Sequence, residues 1–201
     1  MGVAGADLSG QAILITGIAG LLAGAGSMAL GEWVSVQSSR ELFKRQLEIE
    51  AKEIRDSPDS ETEELVQIYR AKGLGDTEAR LVAERIMQDQ DLALRTMAAE
   101  ELGIDPDDLG GSAWVAAGTS FALFAVGAVV PVLPFIFLSV RPGIAVSLVL
   151  SGIGLVGLGA AISWFTGRGA VRSGIRQLVL GLAAAGLTFL VGRILGVTLA
   201  S

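Results

Sequence analysis

The chain has 201 residues, 51% of them hydrophobic and 27 of them glycine. That balance is too apolar for a water-soluble domain and ordinary for a helical membrane protein, in which glycine permits close helix contact. Neither cysteine nor histidine occurs, which excludes disulfides, thiolate or imidazole zinc sites, and cysteine- or histidine-based catalysis. The formal charge of −6 is unevenly spread. Between Gln37 and Gly111 lie 19 Asp/Glu and 10 Lys/Arg, whereas the other 126 residues hold only Asp7, Glu32, Arg141, Arg168, Arg172, Arg176 and Arg193. A charged, water-facing insert therefore interrupts an apolar body, and its acidic sign argues against a nucleic-acid partner.

In chain order, the opening MGVAGADLSG lacks the basic n-region of a signal peptide. Four apolar runs reach the roughly 20 residues that span a bilayer. They cover residues 11–36, 112–140, 143–165 and 174–199. Gly20/Gly24 in the first and Gly192/Gly196 in the last form small-residue steps, which suit either tight helix packing in lipid or simple filling. Loop 166–173 and the start of the last run carry Arg168, Arg172 and Arg176 without an acid, while Arg141 stands alone in the opposite turn. The positive-inside rule puts that loop in the cytoplasm, and two spans back along the chain it puts the insert there too. Residues 1–10 and the C-terminus then fall on the other side.

The insert, residues 37–111, reads as helical. Ser39–Arg55 holds no Gly or Pro, so the first membrane helix is predicted to run straight on into it. SPDS at 57–60 breaks that helix and supplies Ser60 as N-cap for a second over 61–72. GLGD at 73–76 is a turn, with Asp76 or Thr77 capping a third helix to about Met87. A further segment runs from Asp89 to Leu102, and GIDPDDLGG at 103–111 leads back to the membrane. Helices this short need packing, within the insert or across a dimer.

Several carboxylates share a helix face. Glu50 and Glu53 are i,i+3, as are Glu61 and Glu64, and Met97 and Glu101 are i,i+4. Two readings fit. One is a solvated face, with Arg45, Lys52 and Arg55 offsetting Glu50 and Glu53. The other is a hard divalent cation such as Fe²⁺ or Mn²⁺ held by carboxylates from several helices. Met97 has the same ambiguity between core residue and ligand. Met28 and Glu32 stand i,i+4 at the end of the first span. Glu32 is either an interfacial residue beside the anchor Trp33 or part of an ion path.

SMALGEWVSVQSSRE at 27–41, EELVQIYRAKGL at 63–74, AEELGIDPDDLG at 99–110 and FALFAVGAVVPVLPF at 121–135 together resemble the vacuolar iron transporter family, in its bacterial branch. The resemblance implies an all-α membrane protein with five membrane helices in the family and four in this chain. A cytoplasmic helical metal-binding insert stands between the first and second of the helices present. It implies a homodimer in membrane lipid that exchanges Fe²⁺ or Mn²⁺ for protons and moves metal out of the cytoplasm. It implies no enzyme activity and no cofactor beyond the transported ion. Carried over by residue, the cytoplasmic metal ligands fall on Glu50, Glu53, Glu61, Glu64, Met97 and Glu101, and the translocation path on Met28 and Glu32. One departure is expected to matter. Residues 1–10 resemble only the tail of the family's first helix and the loop after it, so that helix's path Asp has no counterpart here, and Asp7 does not replace it. A prokaryotic plasma membrane is the expected location. The competing expectation is a membrane-anchored metal buffer or sensor that binds without transporting.

Overall fold

The computed structural model describes residues 2–6, 8–167 and 169–199, with side chains as far as Gly196. Asp7 and Arg168 lie outside the described residues. Among those described, the regular structure is helical and contains no strand. The helices are α1 (Gly2–Gly5), α2 (Gly10–Asp56), α3 (Pro58–Ala71), α4 (Asp76–Met87), α5 (Gln90–Glu100), α6 (Ala113–Val132), α7 (Pro134–Phe137), α8 (Val140–Thr166) and α9 (Ala170–Leu199). They fall into two compact units, one of residues 1–29 and 118–201, the other of residues 30–117.

In the first unit the helices are long, apolar and outward-facing. Together with the start of the second they supply four stretches long and apolar enough to cross a membrane, in Gly10–Asp56, Ala113–Phe137, Val140–Thr166 and Ala170–Gly196. Large side chains such as Ile18, Leu22, Leu123, Ile153 and Leu187 are exposed, as lipid-facing residues are. Glycine sets the close contacts. A Cβ on Gly159 would lie 2.6 Å from the Gly174 Cα, so α8 and α9 cross backbone against backbone. The Gly192/Gly196 step receives α1, since a Cβ at either position would strike Gly2 or Ala6. Gly24 faces the Phe124 ring, whereas Gly20 faces open space. Only one member of that first step is therefore a packing residue within the chain.

The run predicted over 112–140 is not one helix. Pro131 lacks the N–H that would bond the carbonyl one turn earlier, and α6 ends at Val132. The buried Ser147 hydroxyl on α8 donates at 2.8 Å to the Pro131 carbonyl, which the end of α6 leaves without a helical partner. α7 follows as a single turn opened by Pro134, and Ser139 precedes α8. Ala4, Ile13 and Phe135 form a small core there, with Val140 and Ile144 against it.

The second unit is the charged insert. α2 continues without interruption to Asp56, because nothing between Glu32 and Asp56 breaks a helix. α3 then begins at Pro58 with Ser57 as N-cap, not at Glu61 with Ser60. The reason is that proline is favoured at the first helical position, where its missing N–H costs nothing. α3 ends in a Schellman turn, in which Gly73 (φ +99°) donates to the Arg70 carbonyl and Leu74 to the Tyr69 carbonyl. Gly75, rather than Asp76 or Thr77, precedes α4, and the Glu78 carboxylate reaches back to the Gly75 N–H at 3.2 Å. Asp89 caps α5 by accepting from the Asp91 and Leu92 N–H groups. The packing predicted to be needed is found within the insert. Ile54, Leu65, Val66, Ala79, Ala83, Ala93 and Met97 form its core, flanked by Tyr69, Leu74 and Ile86.

Candidate functional site

Against that core lies a group of carboxylates from three helices. Glu50 and Glu53 come from the last turns of α2, Glu61 and Glu64 from the start of α3, and Glu101 from the C-terminal cap of α5. Local folding explains the meeting. Ile54 turns one face of α2 inward, Leu65 and Val66 turn α3 inward beside it, and Ala93 and Met97 dock α5. The acidic positions next to these apolar ones are carried to the edge of the core.

Glu50 is the innermost. It is 3% exposed, and its Oε1 has no hydrogen-bond partner. Burial, and then the charges of Glu101, Glu61, Glu53 and Glu64, push its carboxyl up from an ordinary 4.5 to about 7. Glu61, also buried, is raised by burial first and then by Glu64, Glu53 and Glu101. Glu101 is raised by burial and then by Glu64 and Glu53, an effect partly opposed by its hydrogen-bonding approach to Glu50. The five thus act on one another electrostatically as a single group.

The protein's own cations do not neutralise them. Among the described residues the ion pairs are Arg70–Asp76, Lys72–Glu100, Arg80–Glu63 and Arg95–Asp107. Lys52, Arg45 and Arg55 pair with none of the cluster, so the offset expected from sequence does not form. Adjacent residues take different roles, Glu63 and Glu100 being tied to cations while Glu64 and Glu101 face the cluster. No three acidic side chains among the described residues converge tightly enough to form a finished coordination shell. Like charges hold such side chains apart, and their rotamers would have to close around an ion. Met97 is fully buried in the apolar core beneath this group. On the other part of α2, Met28 is 49% exposed and Glu32 is exposed one turn further on.

These features define an all-α membrane protein with an acidic helical domain between its first two membrane helices. The VIT family model matches residues 1–193, and the chain belongs to that family. It is 35% identical over 196 residues to the vacuolar iron transporter of Acanthamoeba castellanii, covering 94% of this chain and 72% of that protein. It is 31% identical over 189 residues to vacuolar iron transporter 2 of Oryza sativa subsp. japonica, covering 94% and 76%. Vacuolar iron transporter homolog 1 of the same plant is 34% identical, over 98% of this chain and 66% of that protein.

Proposed function

We propose that this protein transports Fe²⁺ or Mn²⁺ across a membrane in exchange for protons, with the acidic insert gathering the ion on the cytoplasmic side. The observation that carries the reading is the group of Glu50, Glu53, Glu61, Glu64 and Glu101, drawn from three helices around a buried carboxylate and left without a protein cation. Such a group is held together at an electrostatic cost that a divalent ion reverses, and hard oxygen donors select ions of this class. Kinship to vacuolar iron transporters supports iron as cargo. Met97 lies close enough in sequence to Glu101 for its sulfur to favour softer transition ions over Mg²⁺, should it turn outward from the core.

Met28 and Glu32, exposed one turn apart on α2, are the proposed path residues. A second copy of the chain facing them would complete the path. Protons reaching path carboxylates from the far side compete with the metal and release it, so a proton gradient drives export. The test is Fe²⁺ and Mn²⁺ flux into proteoliposomes of the full chain, with and without a pH gradient. Flux that follows the gradient, and its loss in Glu32→Gln with metal binding retained, is the expected result. Binding without flux in the parent chain reduces the protein to a membrane-anchored metal buffer. Wild-type flux in Glu32→Gln removes Glu32 from the path.

A further inference from the structure

The first turns of α9 carry side chains that the metal site does not use. Gly169, Arg172, Ser173 and Arg176 line a cavity of about 700 Å³. The two arginines stand one helical turn apart and are exposed, while Ser173 between them is buried. Ala170–Gly196 is a membrane-crossing stretch, which puts its first turns at the depth of lipid headgroups. The turn is held firmly, because Ser173 and Gly174 press against Gly159 of α8 with no room for a side chain between them.

Neither arginine has a carboxylate partner among the described residues. The only acidic residue in the sequence of this unit is Asp7, which lies outside the described residues. Two like charges at i,i+4 repel and gain from an anion between them. The guanidinium fork matches a phosphate's oxygens, and the opening turn of a 30-residue helix adds N–H groups with no intrahelical acceptor.

We propose that this cavity binds a phosphate group, supplied either by the headgroup of an anionic phospholipid or as free inorganic phosphate. Its volume exceeds what a bare phosphate needs and suits a headgroup with its glycerol. The experiment titrates the full chain in neutral detergent with dioctanoyl phosphatidic acid and, separately, with inorganic phosphate. The parent is compared with the double variant Arg172→Gln/Arg176→Gln and with Arg141→Gln, which removes one equally unpaired charge elsewhere in the same unit. Loss of at least about tenfold in affinity in the double variant, as expected when charge-assisted hydrogen bonds are removed, with Arg141→Gln near parental, supports the site. Binding of phosphatidic acid alone identifies the lipid as source, and equal binding of inorganic phosphate identifies the free anion. No binding of either to the parent, or an equal loss in Arg141→Gln, overturns the proposal. Should the double variant not fold, phenylglyoxal labelling of the parent decides. Phosphatidic acid or phosphate must shield Arg172 and Arg176 selectively, and unshielded labelling in both cases overturns the assignment.

Discussion

Glu50 is an acid at the edge of an apolar core, and its behaviour with pH follows from that position. Its folded pKa of about 7 stands above the ordinary 4.5, so between these values the folded protein holds a proton that the unfolded chain has lost. Stability from this residue is therefore full below about pH 4.5 and declines as pH rises toward 7. Glu50→Gln keeps the shape and removes the charge. In chelator-treated protein at pH 8 it is expected to stabilise by about 1–2 kcal/mol, a figure reduced from the full shift for solvent screening, and to flatten the decline between pH 5 and 8 in thermal unfolding. An unchanged pH profile would assign the raised pKa elsewhere. Met97 poses a separate question, because a fully buried residue in an apolar cluster needs no ligand role to explain it. Met97→Leu conserves volume and should cost under about 1.5 kcal/mol, whereas Met97→Ala should cost about 2–5 kcal/mol. Reduced Mn²⁺ affinity in a well-folded Met97→Leu would show that the sulfur reaches the ion. Unchanged affinity would confine Met97 to packing. Sequence spacing could pair Met97 with Glu101, but it could not say that the helix turns the sulfur inward. That choice is made by Leu65, Val66 and Ala93 across the insert, not by local pattern.

Helices were legible where their signals are local. The unbroken stretch after Glu32 foretold that α2 would continue past the membrane, and Asp89 stands where a capping aspartate is wanted. The start of α3 was misread by three residues, since Ser57–Pro58 and Ser60 offer rival openings and proline at the first helical position decides between them. Whether proline ends a membrane helix is not written locally either, because a span can tolerate it; here α6 ends at Val132, and Ser147 of α8 donates to the Pro131 carbonyl left free at that end. Glycine steps carried a mixed message. Gly159 opposes the α9 backbone, while Gly154 on the same helix meets nothing within 4 Å. Gly159→Ala is accordingly expected to destabilise by about 1–3 kcal/mol through overpacking, whereas Gly154→Ala should be neutral or stabilising by up to about 1 kcal/mol from helix propensity. Thermal unfolding of the two variants in detergent makes the comparison, and equal effects would mean that the crossing of α8 and α9 is looser than described.

At the scale of the whole chain, composition alone separated an apolar body from an acidic insert, and the acidic positions at i,i+3 lie in one electrostatic group. What spacing could not show was which neighbours opt out. Glu63 and Glu100 are claimed by Arg80 and Lys72, leaving Glu64 and Glu101 to the cluster. If gathering and passage are distinct tasks, they should separate in experiment. Glu50→Gln is expected to lower Mn²⁺ affinity by about tenfold or more, as when one charged ligand is lost, yet permit flux at saturating metal. Glu32→Gln is expected to do the reverse, and variants that fail in both respects would merge the two tasks. The continuous α2 makes the separation physical. Glu32 and Glu50 are 18 residues apart, five turns and about 27 Å along one rod, on the same side of it. That interval is more than three times the roughly 8 Å over which physiological salt lets charges feel each other. If the two positions serve capture and passage as proposed, an evolving sequence could adjust them one at a time, and an ion released at Glu50 would have to diffuse, unguided by Glu32, across the gap between them.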